Sequence, residues 1–228
     1  MTKVNILQLR KAIGREEFDH VALTSAFSSY LAVDQKINEL LKAGTICRVK
    51  KGLYIFGPES RQALICKESL ANLIFGPSCI SLEYALSFHG LILERVETIT
   101  SVTPKRDKEF NTPIGCFTYR YLNAAKYPHG IEQQWIDSRH SILIASPEKA
   151  LCDYLVLNDV PPFTHSCSVK AFLLQGLRID HENWARFDVK TMLRLNTHCK
   201  SQNIVRIMET LNSAVKSMLE RLTWLRIC

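Results

Sequence analysis

Residues 33–57 read VDQKINELLKAGTICRVKKGLYIFG. Val33, Ile37, Leu40 and Leu41 recur at the spacing of one helix face, so the stretch opens as a helix from about Val33 to Ala43. Gly44 closes it, because a residue without Cβ takes the left-handed backbone of a helix end at little cost. Two apolar runs follow, Ile46–Val49 and Leu53–Phe56, parted by Lys50, Lys51 and Gly52. Short runs about a glycine predict a β-hairpin, here with positive charge at its tip. The outer face of the helix carries Gln35, Asn38 and Lys42, flanked by Lys36 and Glu39.

Upstream, Ile6, Leu7, Leu9 and Ile13 have helical spacing over residues 5–13, with Arg10 and Lys11 turned out. A second helix starts at Asp19, a natural N-cap, and sends Val21, Ala22, Leu23 and Phe27 toward a core. Ser28 to Tyr30 break it, since serines compete for the helical backbone. Two helices joined by a polar turn and followed by a hairpin have the order of a winged helix-turn-helix. In that arrangement Gln35 and Asn38 pair with adenine edges, and lysines neutralise phosphates. Arg48, Lys50 and Lys51 reach the phosphate backbone or the minor groove, while Leu53 and Tyr54 fasten the hairpin to the helices. Glu39 is unfavourable beside phosphate but can accept from a cytosine amine. The same unit also serves, in the alternative reading, as a protein-contact module that never meets DNA.

The whole chain has 228 residues and 26.0 kDa, enough for a small domain and a medium one. With 46% hydrophobic and 22% charged residues and a mean hydropathy of -0.03, it reads as globular and neither disordered nor membrane-spanning. No apolar run approaches about 18 residues, and charge comes too early at the N-terminus for a signal peptide. A cytoplasmic location with no membrane partner is therefore expected. The net charge of +7 is uneven: +3 over residues 1–60, zero over 61–158 and +4 over 159–228. Basic ends suit a polyanion partner, and they equally suit a solvated surface. Eight cysteines show no Cys-x-x-Cys pair and read mostly as buried free thiols. His165 with Cys167 and His198 with Cys199 are each half of a zinc-ligand pattern with no second pair to complete it. No metal and no cofactor are expected.

Gly57-Pro58 and the polar residues after them mark a boundary, giving a DNA-binding domain over 1–58 and an α+β domain over 62–228. Helices are expected at 62–75 and 81–89, and strands at 96–103, 115–122 and 141–145. Ser146 caps a further helix that starts at Pro147. From about 160 to 228 the pattern is a helical tail with breaks near 176–180 and 198–201. Ile204, Ile207, Met208, Leu211, Val215, Met218, Leu219, Leu222 and Leu225 lie on one stripe of that tail, with Lys216, Arg221 and Arg226 outside it. The stripe is a core face, a dimer seam or a partner-binding face. The fold class is thus α+β, an N-terminal winged helix-turn-helix followed by an α+β domain with a helical C-terminal tail.

Five segments in order carry a resemblance: LLKAGTICRVKKGLYIFGPE (40–59), SLEYALSFHGLI (81–92), TSVTPKR (100–106), GCFTYRYL (115–122) and IASPEKALCDYL (144–155). Together they resemble the AbiEi family, the antitoxins of bacterial type IV toxin-antitoxin systems that act in abortive phage infection. The resemblance implies a winged helix that binds inverted repeats in double-stranded DNA of its own promoter and represses the operon. It also implies a second domain that counters a nucleotidyltransferase-type toxin, bound directly or opposed only functionally. It carries DNA contact onto Lys36, Asn38, Lys42, Arg48, Lys50, Lys51 and Tyr54. A palindromic operator calls for two copies, as a homodimer or side by side. The chain is short for the family, so its tail is where it departs.

Glu148, Lys149 and Asp153 resemble the acid-and-lysine cluster of a metal-dependent nuclease, the competing reading. The plainer account is a helix start, with Glu148 at the positive end and Ala150, Leu151, Tyr154 and Leu155 packed inward. His89 reads as a helix-end histidine bonding a carbonyl. No phosphate-binding glycine loop or Gly-x-Ser-x-Gly is present, so no catalytic residue is assigned.

Overall fold

The computed structural model describes residues 5–28 and 30–224, with side chains through 216. It is a mixed α and β structure holding two hydrophobic cores and two sheets.

The first core is built by α1 (Ile6–Ile13), β1 (Glu17–Asp19), α2 (His20–Ala26), α3 (Val33–Lys42), β2 (Ile46–Lys50) and β3 (Leu53–Phe56). Asn5 caps α1 and Asp19 caps α2, each side chain accepting from backbone N–H groups of the first turn. Gly44, just past α3, has a φ of 68°, as a glycine helix end requires. The three strands form an antiparallel sheet in the order β1-β3-β2. β1 went unread in the sequence because three residues, EFD, are too few to show alternation. Leu9, Leu23, Phe27, Ile37 and Leu40 fill the core as their spacing predicts. Ile6, Leu7 and Val21, expected inside, are exposed. Their helices are only 8 and 7 residues long, and so short a helix turns only a narrow face inward.

The hairpin is where the two cores meet. All four residues of β3 are buried, because each face of the strand has its own cover. Tyr54 and Phe56 face the N-terminal helices, whereas Leu53 and Ile55, with Val49 of β2, belong to the core of the second region. Leu53 therefore fastens the hairpin to residues 62–228 and not to the helices, contrary to expectation. Each such aliphatic burial contributes about 1.5–3 kcal/mol, so the hairpin is clamped between the two cores.

Gly57 sets how closely the chain leaves β3. Its N–H donates to Thr45 O at 2.8 Å, and a Cβ on it would lie 1.8 Å from Gly44 O. The clash is with backbone on a fixed helix end, so no side chain can swing aside. Gly57→Ala is expected to destabilise the protein by about 2–3 kcal/mol, read as a lower urea midpoint at unchanged slope. Coincident midpoints would refute the close approach.

The second region carries a six-stranded mixed sheet in the order β6-β7-β5-β4-β9-β8. Its strands are β4 (Cys79–Ile80), β5 (Ile99–Thr103), β6 (Lys108–Thr112), β7 (Gly115–Tyr121), β8 (Ile131–Trp135) and β9 (Ser141–Ala145). β5/β7 and β4/β9 run parallel and the other pairs antiparallel. α4 (Lys67–Ile74) packs on β4, β5 and β9, α5 (Leu82–Phe88) on β5, and α6 (Pro147–Leu157) on β9 and α5. α4 begins at Lys67, five residues later than expected, because residues 62–65 cross between the two cores. β6 and β8 were missed: both are exposed edge strands rich in polar residues. The remaining helices, α7 (Ser166–Ala171), α8 (Val189–Cys199) and α9 (Gln202–Trp224), cover α6 and one another. Ile204, Ile207 and Leu211 are fully buried, so the described part of the tail stripe is a core face. The side chains of Met218, Leu219, Leu222 and Trp224, and Leu225 and Arg226 entirely, lie outside the described residues. Of the seven described cysteines only Cys66, Cys79 and Cys152 are buried, and Cys167 is exposed.

Candidate nucleic-acid interface

The outer face of α3 follows directly from its inner one. With Ile37 and Leu40 buried, Gln35, Asn38 and Lys42 are exposed on the opposite side at spacings of three and four. Lys36 is different: its Nζ lies 2.6 Å from Glu39 Oε2 and its side chain is 15% exposed. That ion pair answers the unfavourable acid on this face, since Glu39 is neutralised by its own helix. It also leaves Lys36 paired where the sequence reading has it free for a phosphate.

At the hairpin, Arg48 and Lys51 are exposed. The Arg48 guanidinium lies 5.8 Å from the Tyr54 ring centroid, which holds it beside the strand without neutralising it. Tyr54 itself is 4% exposed and stacks in the N-terminal core against Phe18, so its ring serves packing, and the surface contact expected of it finds little exposed area. Lys50 departs most from expectation. Its Nζ donates to Ile74 O at 2.5 Å, at the C-terminal end of α4, where helix carbonyls favour a cation. Burial, with Lys105 nearby, pulls the Lys50 pKa below its ordinary value. It ties the hairpin tip to the second region. The chain bulges between Arg48 and Lys50, and this irregularity separates the directions of adjacent basic residues.

The structure thus brings Gln35, Asn38, Lys42, Arg48 and Lys51 to the surface and withdraws Lys36, Lys50 and Tyr54. It adds neighbours that the sequence did not place there. Lys105 and Arg106 after β5 are exposed, with Lys105 close enough to Lys50 to act on its charge and the Lys105 Nζ donating to Gly76 O at 2.6 Å. The PKR run (104–106) is visible in the sequence as basic, but only the packing of β5 against β4 and α4 sets it near the hairpin.

The acid-and-lysine cluster of α6 is turned inward. Lys149 and Asp153 are 1% and 2% exposed and paired at 3.1 Å, and Asp153 Oδ2 accepts from Ser81 Oγ at 2.7 Å. Burial pushes the Asp153 carboxyl up, opposed by Lys149 and the Ser81 hydroxyl. Glu148 accepts from Ser146 Oγ at 2.9 Å and from the backbone N–H of Asp188 at 2.9 Å. The two carboxylates serve different partners within the fold. The sequence placed Lys149 and Asp153 on one face correctly; that the face was the interior was not readable. His89 Nε2 contacts Ala145 O at 2.8 Å, the carbonyl bond expected of it. His198 stacks on His129 with centroids 3.6 Å apart, a face-to-face arrangement in which the ring nitrogens do not converge on a common ion. Among the described residues no three His, Cys, Asp or Glu side chains gather as metal ligands, and no helix is long and apolar enough to cross a membrane.

Compared with protein-family models and with curated proteins, the chain matches none.

Proposed function

We propose that this protein is a winged helix-turn-helix DNA-binding repressor. The observation that carries the reading is the exposed Gln35, Asn38 and Lys42 face of α3 lying next in the chain to a hairpin with free cations at Arg48 and Lys51. The order α1-β1-α2-α3-β2-β3, with the sheet order β1-β3-β2, supports it, because it leaves α3 free to enter a groove while β2 and β3 flank it. Amides on the helix read base edges, and the cations grip phosphates. The resemblance of the five motifs to AbiEi antitoxins extends the reading to an autoregulating antitoxin of a two-gene phage-defence system, acting without catalysis in the cytoplasm. Two copies would read the two halves of an inverted repeat.

The test is a gel-shift titration of the purified chain against the DNA immediately upstream of its own gene, with unrelated competitor present. Binding above competitor level is expected. Asn38→Ala is expected to weaken specific binding by roughly tenfold, the loss of one bidentate base contact, while leaving competitor binding unchanged. Equal weakening on both DNAs would take Asn38 off the bases. No binding above competitor level would overturn the repressor reading in favour of a protein-contact module.

A further inference from the structure

The C-terminal end of α1, the start of β1, the crossing at Gln62 and the turn between β8 and β9 enclose a cleft of about 340 Å³. It is lined by Arg10, Lys11, Arg15, Glu16, Gln62 and Arg139, among others. Its one carboxylate is already engaged. Glu16 pairs with Arg10 and accepts from the backbone N–H groups of Gln62 at 3.2 Å and Ala63 at 3.0 Å. Burial raises its pKa, but Arg10 and those N–H groups outweigh this and hold it below the ordinary value. Arg10 is fixed as well: Nη1 donates to Ser60 O at 2.5 Å and the guanidinium lies 4.3 Å from the Phe56 ring centroid. Its Nε is shielded from solvent and has no acceptor among the described residues.

Lys11, Arg15 and Arg139 remain, all exposed and without an ion pair among the described residues. Arg139 does not drift into this company by chance of an open loop. Asp137 Oδ1 accepts from the backbone N–H groups of Arg139 and His140 at 2.7 and 2.9 Å, and His140 Nε2 sits 2.6 Å from Glu17 Oε1 of β1. The second contact is close in distance but off the hydrogen-bonding line. Three cations without a close ion pair among the described residues, Arg15 feeling the Glu17 carboxylate at longer range, thus line one concavity whose walls come from both regions. They repel one another until an anion sits between them.

We infer that this cleft is a binding site for a small phosphorylated anion, separate from the nucleic-acid face. The strand register separates it from the hairpin tip: Glu17, next to the cleft, pairs with Ile55, whereas Asp19 pairs with Leu53 at the tip end. The volume suits a pyrophosphate or a small nucleotide and is too small for a large apolar ligand. Arginines present paired donors that fit phosphate and carboxylate oxygens alike, and the greater negative charge of a phosphorylated ligand is what favours it among several cations. A bound anion would bridge the N-terminal helices to the β8–β9 turn.

The inference is independent of the repressor reading, and so is its test. Isothermal titration of the full chain with sodium pyrophosphate, at an ionic strength fixed with chloride, is expected to show one site per chain. Arg15→Glu/Arg139→Glu should weaken it by roughly tenfold or more, and Arg15→Gln/Arg139→Gln by less. Both pairs are solvent-exposed, and circular dichroism will show that they stay folded. Arg48→Glu/Lys51→Glu should leave pyrophosphate binding unchanged. Absence of pyrophosphate binding, or binding that survives the Arg15/Arg139 reversal, overturns the site. If that reversal instead abolishes retention of a DNA duplex while pyrophosphate never binds, these cations serve the DNA backbone and the small-anion assignment is wrong.

Discussion

Lys149→Met is expected to destabilise the protein by about 3–5 kcal/mol. Lys149 and Asp153 are 1% and 2% exposed, and removing the ammonium leaves a carboxylate in the interior with one hydroxyl, that of Ser81, for company. The damage is to the fold, since α6 packs on α5, α8 and β9. Lys149→Met/Asp153→Asn keeps an acceptor for Ser81 and removes the charge, and it should recover at least about half of the loss. The pH dependence has a definite sign. Burial holds the Asp153 pKa above its ordinary value of 3.8 even with Lys149 present, and without Lys149 it rises further. Between the unfolded and folded values the native state holds a proton that the unfolded chain has released, so stability falls as pH rises through that window. The single variant should therefore lose more at about pH 8 than at about pH 5. Urea titrations at the two pH values measure both effects. Equal losses at the two would mean that the carboxyl is already protonated in the parent protein, or is hydrated.

Arg48→Glu/Lys51→Glu is expected to weaken binding to upstream DNA by about a hundredfold near 0.1 M salt and to make the salt dependence shallower by about two in log-log slope. Both residues are exposed, and neither has an ion pair among the described residues, so reversal should act on DNA and not on folding. Lys50→Met provides the contrast. Its ammonium is spent on the Ile74 carbonyl, so the variant should bind DNA within about threefold of the parent while melting at a lower temperature. Gel shifts over a range of salt, paired with thermal melts, separate the two. A double reversal without effect would remove the hairpin from the interface. A loss in Lys50→Met as large as in the double reversal would return Lys50 to the phosphates.

Local signals survived well. Asp19 and Ser146 cap the helices they precede, Gly44 lies in left-handed backbone, and the two apolar runs around Lys50 and Lys51 pair as a hairpin. Such features depend on a few neighbouring residues, and the sequence states them directly. β9 was read to the residue because Ile142, Leu143 and Ile144 make a short apolar run, while β8 beside it was lost because an exposed edge strand has no apolar face to announce it. Within the candidate interface, exposure on α3 was readable from its period. The fate of each lysine was not, because a lysine that neutralises a helix end and one that meets solvent are the same letter.

The chain's own order of residues determines the helices, the hairpin and a basic surface beside them, since capping, periodicity and glycine conformations act over a turn or two. Tertiary packing decides what each charge is for. It spends Lys50 on α4, it buries the Lys149–Asp153 pair that helical spacing alone brings together, and it assembles Lys11, Arg15 and Arg139 from segments more than a hundred residues apart. The physical reason is that electrostatic and desolvation energies depend on distance and burial in space, and distance along the chain predicts neither.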